Sequence, residues 1–168
     1  MTAEKNLENL FLDTLKDIYF AEKQILKALP KMARAAASEE GKAGFLTHRD
    51  ETEGQIERLE QVFEILGKPA RGKTCEAIQG LIAEGEEIME EYKGTAVLDA
   101  GLISSAQAVE HYEIARYRTL KAWAAQLGLK TAIPLLDANL QEEIATDQKL
   151  TARGEAMANP RILAKKAG

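Results

Sequence analysis

Seven residues could carry chemistry in this sequence: Glu22, His48, Glu51, Glu110, Glu113, Glu143 and Asp147. Six carboxylates and one imidazole are a donor set for hard divalent cations, suiting iron or manganese and admitting zinc. Position matters more than type. At 100° per residue, Glu22 falls at the centre of the apolar series Phe11, Leu15, Ile18, Ile25 and Leu29. Glu113 is central to Leu102, Ala106, Val109, Tyr117, Leu120 and Ala124, with Glu110 one turn earlier and towards one side. Glu143 and Asp147 fall within the series Ile133, Leu136, Leu140 and Leu150. His48 belongs to Phe45, Thr52, Gln55, Leu59 and Phe63, and Glu51 lies roughly 80° from the centre of that stripe.

Folding each pair of segments about its loop brings Glu22 level with Thr52, and Glu113 level with Asp147. The acids therefore meet at mid-length, away from the ends. An unpaired buried carboxylate costs several kcal/mol even after relaxation. Five or six together would exceed a domain's whole stability of roughly 5–15 kcal/mol. Basic partners on these stripes are few: His48 near the middle and Arg116 towards the edge. Adjacent carboxyls could share protons, but one or two divalent cations are the more economical solution. His48 could serve as a ligand or as a hydrogen-bond partner of one. Tyr19 and Tyr117 flank the layer, as packed aromatics with a bonded hydroxyl or as redox groups.

The elements that must position these residues are helices. The chain has 168 residues, 45% apolar and 29% charged but only 5% aromatic, a profile that favours an all-α domain. The punctuation predicts helices over about 2–37 (with Pro30 as an interior kink), 39–66, 74–92, 95–127 and 131–158. Ser38, Thr74 and Thr131 read as starts, and Gly67 and Gly128 as stops. Short connections make the first two and the last two helices antiparallel hairpins. The crossover between them, nearly thirty residues with its own helix, is long enough to return along the bundle. Two hairpins joined by one long crossover make a ferritin-like four-helix bundle with a short fifth helix. The domain is expected over 1–158, with a basic tail at 159–168.

Other classes are disfavoured. The net charge is −5, and no Lys/Arg stripe interleaved with aromatics is present, so nucleic acid is not an expected partner. No run reaches the ~18 apolar residues of a membrane span, and the N-terminus lacks the apolar core of a signal peptide. The lone Cys75 excludes an intrachain disulfide framework and suits a reducing compartment, so a cytoplasmic protein is expected. Leu12, Leu26 and Trp123 lie outside the main stripes and would form a dimer face or cover the crossover helix.

The stretches "YFAEKQILKALPKMA", "HRDETEGQIERLEQVF", "AQAVEHYEIARY" and "LQEEIATDQKL" resemble the YciE/YciF stress-associated proteins of the ferritin-like superfamily, near rubrerythrin and bacterioferritin. The resemblance covers almost the whole chain. It implies a ferritin-like bundle, a homodimer and a di-metal centre, most simply two iron ions. The superfamily pattern of Glu, Glu-x-x-His, Glu, Glu-x-x-His is met at Glu22 and Glu51, but Gly54 stands where the first histidine would be, and His48 is the nearby imidazole. Glu110 and Glu113 compete for the third position or share it. Glu143 is followed by Thr146 and Asp147, so an acid replaces the second histidine. The implied functions are a di-iron oxidoreductase reacting with O2 or peroxide, or a metal-stabilised structural stress protein without turnover. No CxxC pair is present to deliver electrons, so turnover would require an external donor.

Overall fold

A computed structural model describes residues 4–157. These form five helices and no strand: α1 (Leu7–Ala35), α2 (Glu39–Ile65), α3 (Glu76–Glu91), α4 (Leu98–Gln126) and α5 (Ile133–Met157). Helices α1 and α2 pair as one hairpin and α4 and α5 as the other; α1 packs on α4 and α2 on α5, while α3 lies across α1 and α4. This is the predicted four-helix arrangement with a long crossover. The expected tail at 159–168 and the first helix's expected start at Thr2 lie outside the described residues.

Local sequence explains the boundaries. Asn6 caps α1, exchanging 3.0 Å hydrogen bonds with Asn9, so the helix begins at Leu7. It runs on through Pro30, whose ring nitrogen offers no proton to the preceding turn. Ser38 caps α2 by accepting from the Gly41 amide at 3.0 Å. Helices α2 and α4 end alike. Gly67 and Gly128 take positive φ of 64° and 70°, and the amide that follows each glycine bonds back into the last turn, Lys68 to Phe63 and Leu129 to Ala124.

Three further expected starts differ, that of α5 falling at Ile133 and not at Thr131. Cys75, not Thr74, caps α3: its sulfur accepts from the Ile78 amide at 3.4 Å. Helix α4 begins three residues later than expected, because the chain turns through Tyr92–Val97 with the Thr95 hydroxyl bonded to the Tyr92 carbonyl. One carboxylate then ties the bundle end together. Asp99, in the first turn of α4, accepts from the amides of Ala37 and Ser38 at 2.7 and 2.9 Å, holding the α1–α2 connection.

The core is the intersection of the predicted stripes. Phe11, Leu15, Ile18, Leu59, Phe63, Leu102, Tyr117, Leu120 and Leu136 are all buried. Leu12, Leu26 and Trp123 are partly buried against this core.

Candidate metal centre

Each helix of the four-helix layer sends a polar side chain into the middle of that core. The α1 stripe supplies Glu22, α2 supplies His48, α4 supplies Glu110 and Glu113, and α5 supplies Glu143, all buried. On α4 the i, i+3 spacing puts Glu110 and Glu113 on one face, and Tyr117 follows a turn later. One donor atom from each of His48, Glu110, Glu113 and Glu143 lies within 4.8 Å of the others. Glu22 abuts Glu113, and its Oε1 accepts a 2.6 Å hydrogen bond from the Tyr117 hydroxyl.

The other two predicted residues stand differently. Glu51 is half-buried at the edge of the layer; its Oε2 accepts from Thr146 at 3.2 Å and lies 3.6 Å from His48 Nδ1. Asp147 is not drawn into the cluster. His111 Nε2 on the neighbouring α4 approaches it at 3.2 Å and Gln107 Nε2 at 3.4 Å, and its short side chain is held at the α4–α5 surface. Arg116, the expected edge base, sits over the Tyr112 ring near Asp17 and away from the acids.

The charges explain what this layer requires. Burial raises Glu113 well above the usual carboxylate range, and Glu143 and Glu22 push it further. Burial and then Glu110 raise Glu143 in the same way. Burial also raises Glu22, against the closeness of the Glu113 carboxyl and the hydrogen bond from Tyr117. His48 is the counterweight. Burial alone would lower its pKa, but the 2.8 Å bond of Nε2 to Glu110, with Glu51 beyond Nδ1, holds it at about 10.

One imidazolium does not satisfy these groups. Among the described residues, eight buried side-chain polar atoms have no hydrogen-bond partner, and seven of them belong here: Glu22 Oε2, His48 Nδ1, Glu110 Oε2 and both oxygens of Glu113 and Glu143. Native interiors leave few such atoms, and a cluster of them on oxygen and imidazole donors is what a bound cation would satisfy. The donor set thus fits a hard divalent metal.

A layer of hydrogen bonds not foreseen from the sequence backs the centre. Arg58 donates to Asn139 Oδ1 at 2.9 Å and pairs with Glu142 at 2.7 Å. Asn139 Nδ2 donates to the Tyr117 oxygen at 3.2 Å, and Tyr117 donates on to Glu22. Every donor points towards the centre, which orients the Tyr117 hydroxyl on Glu22. The available signal was Asn139 itself, an amide between Leu136 and Leu140 on the stripe that also carries Glu143. A cavity of about 420 Å³ between α2 and α5, walled in part by Phe45, Glu51, Lys149 and Arg153, reaches His48 and Glu110. It gives ions and water a route to the layer.

Residues 6–163 match the family described as a domain of unknown function, DUF892. The chain belongs to that family. It is 47% identical over 148 residues to Protein YciF of Escherichia coli (strain K12), covering 88% of this chain and 89% of that protein. The crystal structure of the E. coli stress protein YciF superposes with a TM-score of 0.88 at 45% identity, covering 93% of this chain and 99% of that one. YcfI of Rhodopseudomonas palustris gives a TM-score of 0.86 at 48% identity, covering 90% and 97%. This DUF892 chain is therefore a homologue of a bacterial stress protein. None of its described helices is long and apolar enough to cross a membrane.

Proposed function

We propose that this protein is a ferritin-like metal-carboxylate protein of the stress response, holding two iron ions and acting on O2 or peroxide. The observation that carries the reading is the set of seven unpartnered donor atoms on Glu22, His48, Glu110, Glu113 and Glu143. These five residues would hold the metal, with Glu51 available from the edge of the layer. Asp147, paired with His111, supports the fold of the α4–α5 face in this reading. A bound iron pair would supply electrons to an oxidant at positions that the protein leaves open.

The chain's own groups prepare that step. Tyr117, fixed by Asn139, holds Glu22 Oε1 and leaves Oε2 free to bind. To hold a metal through Nε2, His48 would have to lose the proton it shares with Glu110, while its Nδ1 stays directed at Glu51, 3.6 Å away on the cavity wall, which fixes the ring. The YciF homology supports the stress role. The lone, buried Cys75 supports a cytoplasmic setting. We expect a homodimer served by an external electron donor.

The test is elemental analysis after exposure to Fe(II), Mn(II) or Zn(II), followed by anaerobic Fe(II) loading and addition of O2. Two iron ions per chain and an oxo-bridged absorption growing on oxygenation are expected. Glu113→Ala and Glu143→Ala should each lower metal content, and Glu87→Ala, on the exposed face of α3, should not. Wild-type metal content in both core variants would refute the site. A second reading, a metal-stabilised protein without turnover, is favoured by the description of YcfI as a candidate structural protein. It predicts metal uptake with no response to oxidant.

A further inference from the structure

The His48–Glu110 pair is reached from two sides. One approach is the broad cavity between α2 and α5. The other is a pocket of about 40 Å³ beneath the crossover helix, walled by Ile25, Leu29, Leu81, Ile82, Met89 and Val109. His48 and Glu110 close its buried end. Lys31 and Glu86 stand at its exposed end, joined by a 3.5 Å ion pair. We infer that this apolar pocket is a dioxygen site, the point at which O2 is taken up and passed to the metal layer. The inference rests on the metal-centre reading above and narrows its oxidant.

Size and chemistry both lead there. The pocket volume is roughly three times the 10–15 Å³ that one water needs, enough for a diatomic gas and too little for an organic substrate. Between its two polar ends the walls are mostly aliphatic side chains and thioethers, a surface that favours apolar guests. Hydrogen peroxide would give up hydrogen bonds to water along the apolar stretch between the Lys31–Glu86 pair and the His48–Glu110 end, where Ser105 is the one polar side chain of the lining. Dioxygen makes no such bonds and loses nothing. Buried Glu110 Oε2, which has no partner, belongs to a residue at the inner end, so the pocket stops at the centre and not in blind core.

The crossover helix makes this pocket. Helix α3 sits hard against α4 because residue 101 is glycine: a Cβ there would come within 2.6 Å of Ile88 Cγ2. At Gly85 the approach is looser, with Ser105 Cβ at 3.6 Å from the position a Cβ would take, and the space beside it is open pocket. A larger side chain at residue 85 would fill that space from the α3 side, and one at residue 109 would fill it from α4.

Xenon, apolar and close to O2 in size, is the probe. Metal-free wild-type protein under several atmospheres of xenon should show the atom in this pocket, by crystallography or by 129Xe exchange NMR. Gly85→Leu and Val109→Phe, each checked for native helicity, should exclude it. After iron loading, both variants should oxidise Fe(II) with O2 about tenfold more slowly than wild type, while oxidation by H2O2 through the broad cavity stays within about twofold. An empty wild-type pocket, or equal slowing with both oxidants, would overturn the inference. Xenon uptake without iron uptake would instead remove the metal reading and leave the apolar gas site standing. Iron uptake without xenon would do the reverse.

Discussion

Replacing Glu113 by leucine should strengthen the metal-free protein and abolish its gain from metal, a reversal that an ordinary core residue would not show. Glu113 is fully buried, neither of its oxygens has a partner, and burial with the neighbouring acids Glu143, Glu22 and Glu110 raises it far above its usual range. Leaving a buried polar group unsatisfied costs about 1–3 kcal/mol. Exchanging buried charged groups for apolar ones of similar volume commonly gains about 1–4 kcal/mol. Metal-free Glu113→Leu should therefore be more stable than metal-free wild type by about 1–4 kcal/mol, at roughly 2–4 °C in Tm per kcal/mol for a chain of this size. Wild type at a metal concentration a hundred times Kd should gain about 2.7 kcal/mol, and the variant much less. The pH dependence has a definite sign. A carboxyl raised in the folded state favours folding while protonated, so its contribution is complete below the unfolded value of 4.5 and is lost as pH rises towards the folded value. Metal-free wild type should weaken from pH 4.5 upward, and Glu113→Leu should weaken less. Urea unfolding of EDTA-treated and metal-loaded samples between pH 4 and 8 reads all of this. A metal-free variant less stable than wild type, or an undiminished metal increment, would refute the reasoning.

Asp99→Ala should cost about 1–3 kcal/mol by freeing the amides of Ala37 and Ser38. Burial opposes the ionised Asp99, but those amides outweigh it and hold the carboxyl below 3.8; the stabilisation is present above that value and is lost as pH falls through the folded one, so urea midpoints of wild type and variant should converge in acid. Tyr117→Phe strips Glu22 Oε1 and Asn139 of a partner, and should lower metal-free stability by about 1–3 kcal/mol while metal content is retained. Cys75 is buried, and burial pushes its thiol up, so a disulfide reagent should leave the native protein untouched and react once it is unfolded.

Periodicity was enough to find the helices because their caps and apolar stripes agree. Phe11, Leu15, Ile18 and Leu29 share a face with Glu22, and the whole set is buried. The same reasoning reached Glu22, Glu113 and Glu143, since a carboxylate at the centre of an apolar stripe has nowhere else to go. It served less well at the stripe edges. Glu110, towards one side of the α4 stripe, is more deeply buried than Val109 within it, because α4 turns that side towards His48. Asp147 shared a stripe with Glu143, but its height along α5 places it beside His111, and a sequence pattern carries no information on which neighbour reaches an acid first. Arg58 and Asn139 escaped notice for a related reason. Their bonds cross between α2 and α5 and depend on the relative rotation of two helices, which neither helix encodes alone.

Asp99 and the two matching glycine-ended turns close the bundle at its ends without drawing on the central acids. The scaffold and its centre are therefore separable through evolutionary time. A lineage could exchange the carboxylates for leucines, one layer at a time, and still inherit the same topology with its caps and crossover helix. Sequences sharing this bundle should then divide into those that keep the acids at positions 22, 110, 113 and 143 and those that replace them together with His48, because a lone survivor would be buried without a partner.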